Sequence, residues 1–403
     1  MGDLLPVDEA IARIVAGVTP TEAEEVPLSE AAGRFLASPL AARRTQPPFA
    51  ASSMDGYAVR SGDVARAGAH LAVIGMAAAG HSFHGTVGRH ETVRIFTGAP
   101  VPDGADAVLI QEDVDAGDSK TVVARAAARP GQNIRPAGLD FSQGAVLLES
   151  GRRLGMRELA LAGAMGFGAL PVRRRPRVAI LATGDELVMP GLVPGPDQIV
   201  ASTGPGIAAL VVPAGGEPLD LGIVPDDRAA IANAIDRALA LPADIFVTLG
   251  GASVGDHDLV RDALAAKGMD LGFWKIAMRP GKPLVFGRLG GMRVLGLPGN
   301  PVSSLVCGLL FLRPLIGALL GLPLVDPTEP AVLGTAMPAN DRRQDYVRAK
   351  LAERPGKPPV ATALPVQDSS MLAVLAEADC LLIRPPLAPA AAAGEACRII
   401  RLP

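Results

Sequence analysis

The second half of the chain alternates short apolar segments with helical segments, and this alternation constrains the fold more than any other feature. Four segments have the length and apolar content of buried strands: VAILA (178–182), LDLGIV (219–224), DIFVTLG (244–250) and MRVLGL (292–297). Helical patterns at 226–241 and 258–267 lie between them. Strands that alternate with helices form βαβ units, so we expect a parallel sheet with helices packed against it.

Three of these strands end in loops rich in glycine and polar residues, at 182–187, 250–258 and 297–304. In a doubly wound sheet the ligand binds outside the carboxyl ends of the strands, where these loops would meet. Taken singly, each loop is better explained as a tight turn or a helix cap. Glycines, however, let backbone N–H groups approach an anion, and helix N-termini add further donors. The coincidence of the three loops therefore predicts a site for a phosphate-bearing ligand.

Charged residues of both signs lie near the same edge. The acidic ones are Glu186, Asp226, Asp256 and Asp258. Carboxylates beside phosphates normally require a bridging divalent cation, most often Mg²⁺, so this group predicts a metal site. Asp226 also suits the N-cap of the helix that follows it, and Asn300-Pro301 suits the start of another.

The segment FWKIAMRPGKP (273–283) carries three cations, Lys275, Arg279 and Lys282, and is stiffened by prolines. A solvated basic turn would explain it, but the spacing favours a preformed oxyanion site. The five histidines predict no metal site, because His81, His84 and His90 lack the spacing of zinc ligands.

The remaining segments predict an α/β multidomain chain. A helical spacing covers 3–17, a short strand and a second helix are expected over 26–39, and a further helix at 156–166. Short apolar runs punctuated by Gly and Pro over 71–148 predict a small all-β module. Past Asp326 we expect strands and no helix, hence a C-terminal β domain. The predicted domains are 1–45 plus 146–176 (helical, linking), 46–145 (small β), 177–326 (α/β) and 327–403 (C-terminal β).

Composition excludes several classes of protein. The 403 residues carry a net charge of −3 and 3% aromatic residues, which argues against a nucleic-acid-binding surface. Three cysteines without a CxxC favour a reducing cytoplasm over a disulfide framework. The N-terminus lacks the basic and apolar regions of a signal peptide. The apolar run 301–325 contains Arg313-Pro314 at its centre, so we expect two buried helical pieces rather than a membrane span.

Seven motifs then occur in one order along the chain. They are SSMDGYAVR (52–60), IFTGAPVPDGADAVLIQED (95–113), GQNIRPAG (131–138), TGDEL (183–187), GGASVGDHD (250–258), FWKIAMRPGKP (273–283) and GLPGNPVS (296–303). Any one of them is weak, but the ordered set closely resembles molybdopterin molybdenumtransferase, the MoeA family that includes the E domain of gephyrin.

The resemblance implies a central molybdopterin-binding parallel-sheet domain and an activity. The enzyme would insert molybdenum from molybdate into adenylylated molybdopterin with a divalent cation, release AMP and form the molybdenum cofactor. It also implies a cytoplasmic homodimer in which the partner subunit completes the site. An enzyme that supplies adenylylated molybdopterin and the molybdenum apoenzymes are the implied partners, with no nucleic acid and no membrane.

The resemblance also implies particular site residues. The catalytic set is Asp55, Glu186, Asp226 and Asp258, and the metal ligands are Glu186, Asp226 and Asp258. Together with the loops above, the substrate-binding set is Thr97, Asp140, Thr183, Gly184, Gly250, Gly251, Ser253, Gly255, Lys275, Arg279, Lys282, Pro298, Gly299, Asn300, Pro301, Arg348 and Ser369. Arg348 and Ser369 match positions associated with the oxyanion.

Three departures from the family pattern raise alternatives. The residues before MDGY are Ala-Ala-Ser-Ser (50–53) where a more polar run is usual, position 279 is Arg where Lys is common, and 200–203 reads Val-Ala-Ser-Thr where a Tyr-Asp-Ser/Thr-Asn run is usual. Loss of the polar pair at 50–51 raises the alternative of a non-catalytic molybdopterin-binding dimeric scaffold. Another enzyme on the same parallel-sheet domain, a related molybdopterin adenylyltransferase or a nucleotide pyrophosphatase, also stays open. The sequence does not distinguish molybdate from tungstate.

Overall fold

A computed structural model describes residues 4–118, 120–251 and 259–403. The chain divides into two compact units. Unit 1 comprises residues 1–24, 33–37 and 172–403, and unit 2 comprises residues 25–32 and 38–171. The strands Ala23–Pro27 and Ala169–Arg173 each contain one of the chain boundaries between the two units.

Unit 1 contains a six-stranded sheet that includes all four strands predicted from the apolar segments. Its strand order is Glu217–Val224, Arg177–Thr183, Ile245–Leu249, Met292–Leu297, Pro283–Leu289 and Asp270–Lys275. The first four strands are parallel, as predicted, whereas the last two pair antiparallel. The sheet is therefore mixed.

Alternate residues of each central strand enter opposite cores. Val178 and Ile180 lie in one apolar cluster, whereas Ala179 and Leu181 lie in the other. Because successive side chains of a strand point to opposite faces, both faces of the sheet must be covered. The covering helices are Val7–Val15, Thr203–Val211, Arg228–Ala240, Leu259–Ala266 and the segment from Pro301 to Leu319.

The apolar run after residue 300 forms one continuous helix, so the expected division into two pieces is wrong. It runs from Pro301–Cys307 through a π-helical turn, Gly308–Leu312, into Arg313–Leu319. The wider π-helical turn just before Pro314 accommodates the proline without ending the helix. This helix is long and apolar enough to cross a membrane by length and composition, and 67% of its most apolar window is buried.

Helix boundaries follow local capping chemistry. The helix Arg228–Ala240 has Asp227 as its N-cap, whose carboxylate accepts a hydrogen bond of 2.8 Å from the Ala230 amide. The prediction of Asp226 as the N-cap is therefore wrong by one residue. Asn300 occupies the N-cap position of Pro301–Cys307 and Pro301 its first turn, as expected.

The C-terminal part of unit 1 forms a second sheet of six strands. They are Met278–Arg279, Gln344–Arg354, Lys357–Ala363, Glu329–Leu333, Ala396–Arg401 and Cys380–Arg384, in that order. Gln344–Arg354 pairs also with Cys380–Arg384, which closes five of the strands into a barrel. One short helix, Leu372–Glu377, contradicts the expectation that helices stop after Asp326.

Unit 2 is mainly β, as its sequence predicts. Its main sheet has the strand order Ala107–Ile110, Gly56–Val59, Glu91–Ile95, His70–Ala77, Thr121–Ala124 and Val114–Asp118. Two smaller sheets pair Ala51–Ser52 with Ile134–Arg135 and Leu40–Ala41 with Val146–Leu148. Short 3₁₀ turns are Leu28–Glu30, Ser61–Val64 and Gln111–Asp113, and the α-helix is Met156–Ala164.

The second helix expected before residue 39 is only the turn Leu28–Glu30, because proline precedes it and glycine follows. The α/β multidomain fold class is confirmed, and the predicted domain limits stay predictions.

Candidate active site

Three strand-end loops of unit 1 meet at one edge of the α/β sheet, as the sequence predicts. The Gly184 amide donates to the Val224 carbonyl over 3.2 Å, and the Gly250 amide to the Leu297 carbonyl over 3.3 Å. A Cβ atom at position 299 would lie 3.9 Å from the Cα of Gly250. The carboxyl ends of the parallel strands therefore form a continuous backbone surface at which a ligand could bind.

Glycine is required where the second loop contacts the first. Gly250 has a φ of +95°, and a Cβ there would lie 2.7 Å from the carbonyl oxygen of Thr183. Gly251 has a φ of +65°, and a Cβ there would lie 2.3 Å from Val260. The Thr183 hydroxyl is buried at this contact and has no hydrogen-bond partner in the described part of the chain. Because buried hydroxyls are usually paired, Thr183 is suited to a partner supplied by a ligand or water.

A small cleft opens at the same edge. Its lining residues are Ala182, Thr183, Glu186, Leu187, Ile199, Val200, Ala201, Ser202, Thr203, Gly204, Leu249, Gly250, Gly299 and Pro301. Its volume is about 110 Å³, below the roughly 300–1,000 Å³ of complete small-molecule sites. The lining residues named here thus accommodate part of a larger ligand. The stretch 200–203, which departs from the family pattern, is among them.

Three carboxylates crowd the first loop and the end of a neighbouring strand. The Asp226 amide donates to the Asp185 carboxylate over 3.1 Å. Desolvation by the surrounding protein, and then the charges of Asp185 and Glu186, raise the pKa of the Asp226 carboxyl above its ordinary value. Because Asp227 caps the following helix, the Asp226 carboxylate is not used as the helix N-cap. Negative charge is therefore concentrated beside the cleft.

This carboxylate set fits a divalent cation in its chemistry. Oxygen ligands are those that Mg²⁺ prefers, and a bound cation would offset the like charges of Asp185 and Glu186 that contribute to the raised pKa of Asp226. Among the described residues no three His, Cys, Asp or Glu side chains lie at metal-binding separations. The third predicted ligand, Asp258, lies outside the described residues, as do Ser253 and Gly255 of the predicted substrate-binding set.

The third loop binds a segment of the C-terminal barrel. The Asn300 side chain does not cap its own helix and instead donates to the Ser369 hydroxyl over 2.9 Å. The Val302 amide donates to the Ser369 carbonyl over 3.1 Å, and the Ser304 hydroxyl donates to the Pro298 carbonyl. The structure thus brings Ser369 to the turn 298–301, although 69 residues separate Asn300 from Ser369.

Arg348 lies beside this contact and is 1% exposed. It donates from Nη2 to the Asp368 carbonyl over 3.1 Å, and its Nε has no partner in the described part of the chain. No carboxylate within the described residues forms an ion pair with Arg348, and burial lowers its pKa. The nearby Asp368 carboxylate favours the charged form of Arg348 without forming an ion pair with it. A buried guanidinium with an unpaired Nε is suited to an oxyanion ligand.

The three cations of the basic segment have different surroundings. The Lys275 ammonium lies 3.9 Å from the centre of the Trp274 ring. Arg279 forms a two-point ion pair with Asp345, so its charge is already neutralised and its predicted role in anion binding is disfavoured. Lys282 is half-buried, and in the described ranges neither it nor Lys275 has a carboxylate partner.

In unit 2 the structure brings together two of the predicted residues. One Asp55 oxygen accepts hydrogen bonds from both the amide and the hydroxyl of Thr97, each of 2.8 Å. These bonds, the amide first, lower the pKa of the Asp55 carboxyl. Arg94 lies nearby, with its guanidinium 5.0 Å from the Phe96 ring. Asp140 is exposed on the same unit, and its amide donates to the Gln46 carbonyl over 3.0 Å.

The predicted site sets omit two residues that the geometry adds. Asp185 faces the Asp226 amide, and its position inside TGDEL was the available signal. Trp274 packs against Lys275, and its adjacency as the single tryptophan was the signal there.

Comparisons with known proteins agree with this architecture along the chain. Residues 5–166 match the MoeA N-terminal region (domain I and II), 179–318 a probable molybdopterin binding domain, and 330–402 the MoeA C-terminal region (domain IV). A molybdopterin molybdenumtransferase from Haemophilus influenzae is 38% identical over 79% of this chain and 78% of its own length. One from Bacillus subtilis is 34% identical over 94% of this chain and 90% of its own length.

A solved structure shows the same fold. The molybdopterin biosynthesis MoeA protein from Pyrococcus horikoshii aligns with a TM-score of 0.87 at 29% identity, covering 99% of each chain.

Proposed function

The chain belongs to the MoeA family of molybdopterin molybdenumtransferases, and we propose that it uses molybdate and adenylylated molybdopterin and releases AMP. Enzymes of this family are transferases that insert molybdenum into molybdopterin during cofactor synthesis. The adenylylated substrate, molybdate, Mg²⁺, the dimer and a cytoplasmic location are the proposed parts.

One observation carries the proposal: an acidic cluster lies at the first strand-end loop, and a buried arginine with an unpaired Nε lies beside the third. Asp226 and Glu186 crowd the first loop, and the Asn300–Ser369 bond holds the segment that bonds Arg348 beside the third. A site of both signs suits a reaction between an oxyanion and a phosphoanhydride.

The acidic residues account for the nucleotide side of the reaction. Glu186 and Asp226, with Asp258 of the predicted set, would hold Mg²⁺, which neutralises charge on a phosphoanhydride when bound. The backbone at Gly250 and Gly299 would approach the phosphates closely, because neither residue has a side chain in the way.

Arg348 and Ser369 account for the oxyanion side. The fixed, buried Arg348 guanidinium offers Nε to a molybdate oxygen, and the Ser369 hydroxyl offers a further polar contact. Lys275, held against Trp274, adds positive charge. These residues would bind and orient the reactants, and positioning with charge neutralisation supplies most of the rate in such transfers.

The test measures AMP release from adenylylated molybdopterin with Mg²⁺, with and without molybdate, and reconstitution of a molybdenum apoenzyme. We expect release that depends on molybdate. Asp226→Asn removes the proposed ligand and should abolish it. Asp227→Asn is the matched control, since Asn caps a helix as well as Asp and the charge change is the same.

Other outcomes identify the alternatives. ATP-dependent adenylylation of molybdopterin would favour an adenylyltransferase, and binding without AMP release would favour a scaffold. Equal activity in the two variants would refute the role of Asp226.

We propose further that the working form is a homodimer in which Asp55 and Thr97 of one protomer complete the site of the other. Mixing inactive Asp55→Asn and Asp226→Asn chains then restores about a quarter of wild-type activity, since half of the dimers are mixed and each has one intact site. Failure of the mixture to recover activity would contradict the shared site.

A further inference from the structure

A second polar cavity lies in unit 1 at the opposite edge of the α/β sheet from the candidate active site. Asp244 precedes the strand Ile245–Leu249 and Arg293 is near the start of Met292–Leu297, so the cavity is at the amino ends of the parallel strands. Its volume is about 440 Å³, within the range of small-molecule sites. None of the residues assigned above to molybdenum insertion lines it.

The charges around this cavity do not balance. Arg174, Arg288 and Arg293 line it, with two carboxylates, Asp244 and Glu22. Arg174 binds both carboxylates: two bonds of 2.9 Å reach Asp244, and its Nε donates to Glu22. Within the described residues, no carboxylate is left as an ion-pair partner for Arg288 or Arg293.

Helix capping explains only part of what these two arginines do. Arg288 Nη2 donates to the Ala16 carbonyl over 2.9 Å, and Arg293 Nη2 donates to Gly17 over 2.9 Å, just past the helix Val7–Val15. Such capping is favourable because the carbonyl end of a helix is negative. Within the described residues, these bonds use only the Nη2 nitrogen of each guanidinium.

One buried nitrogen of Arg293 is unpaired in the part of the chain that the structure describes. The residue is 7% exposed, and its Nη1 has no hydrogen-bond partner in the described part of the chain. Burial, and then the neighbouring charge of Arg288, lower the pKa of Arg293. Buried donors without acceptors are rare and costly, so this cation is suited to an anion.

The turn beside the arginines leaves the cavity open. Leu289 pairs with Met292, so Gly290 and Gly291 form a two-residue hairpin loop. A Cβ atom at either glycine would meet no heavy atom within 4 Å. We propose that the cavity binds a phosphate dianion, either inorganic phosphate or the phosphoryl group of a nucleotide, through Arg288 and Arg293. The bound anion would link the end of the helix Val7–Val15 to the hairpin of the sheet.

Titration calorimetry of the full chain with inorganic phosphate, and separately with AMP, tests this proposal at constant ionic strength. Arg288 is exposed, so Arg288→Gln should fold, and we expect phosphate affinity to fall by at least about tenfold, the loss of one charge-assisted hydrogen bond. Arg342→Gln, an exposed arginine of the same unit, is the matched control and should bind as wild type. Arg293→Gln tests the buried partner.

Each outcome decides the matter. Tighter binding of AMP than of phosphate, lost in Arg288→Gln, identifies a nucleotide phosphoryl site, whereas equal or weaker binding identifies inorganic phosphate; both support the proposal. Absence of binding to the wild type at millimolar phosphate overturns it. So does unchanged affinity in Arg288→Gln, and so does a loss confined to Lys275→Gln, which would place the anion in the candidate active site.

Discussion

Replacing Gly250 by alanine tests the contact between two strand-end loops. The residue has a φ of +95°, and a Cβ there would lie 2.7 Å from the Thr183 carbonyl oxygen. Because the obstacle is backbone, the loop itself has to move. We expect Gly250→Ala to displace the second loop from the first.

The magnitude follows from two contributions. A left-handed backbone costs a residue with a Cβ about 1–2 kcal/mol, and forcing an extra carbon into a packed contact costs about 1–3 kcal/mol. Gly250→Ala should therefore lower the free energy of unfolding by about 2–5 kcal/mol. Gly268 has a φ of +87° but open space around it, so Gly268→Ala should cost only about 1–2 kcal/mol.

Urea unfolding followed by tryptophan fluorescence measures both variants, since the single tryptophan, Trp274, lies in unit 1. Molybdate-dependent AMP release under native conditions should fall at least about tenfold in Gly250→Ala and stay near wild type in Gly268→Ala. Equal losses of stability and activity in the two variants would refute the argument, because the shared φ strain would then be the whole effect.

Four further predictions follow from individual side chains. Asp226→Asn should raise the thermal midpoint of unfolding in EDTA at neutral pH, because a carboxyl with a raised pKa opposes folding when it is ionised. Added Mg²⁺ should stabilise the wild type but not the variant. A variant that is less stable than the wild type in EDTA would contradict this. Arg348→Met should raise the KM for molybdate at least about tenfold with little loss of stability, since it removes a buried charge that forms no ion pair among the described residues. An unchanged KM would exclude Arg348 from the oxyanion site. Asp227→Ala should lower the free energy of unfolding by about 1 kcal/mol through loss of the N-cap, measured against Asp227→Asn, which should be neutral. Pairing with Arg152 lowers the pKa of Glu158 to about 2, so the stability that the pair contributes is present above the ordinary carboxyl pKa and is lost as the pH falls toward 2. Glu158→Gln should therefore flatten the plot of unfolding free energy against pH between those two values. Parallel plots for the variant and the wild type would show that the pair does not contribute this pH dependence.

Local patterns in the sequence were sufficient for the central strands and their loops. The strands around Ile180 and Val247 are buried on both faces, so they read as short apolar runs whose ends carry glycine and polar residues. Capping chemistry is equally local, which is why Asn300 and Pro301 were correctly placed at a helix start. The ordered motifs then identified the family, because each motif corresponds to one of these local structures.

What the tertiary structure decided was which charges remain available. Asp226 and Asp227 are both plausible caps, and only the fold shows that Asp227 bonds the helix while Asp226 meets Asp185. Arg279 is neutralised by Asp345, 66 residues away, and Asn300 reaches Ser369, 69 residues away. Pairing of this kind depends on which elements pack together, and spacing along the chain carries no record of it. The sequence therefore determined where the loops of the site begin, and long-range packing determined which of their side chains are left free to bind a ligand.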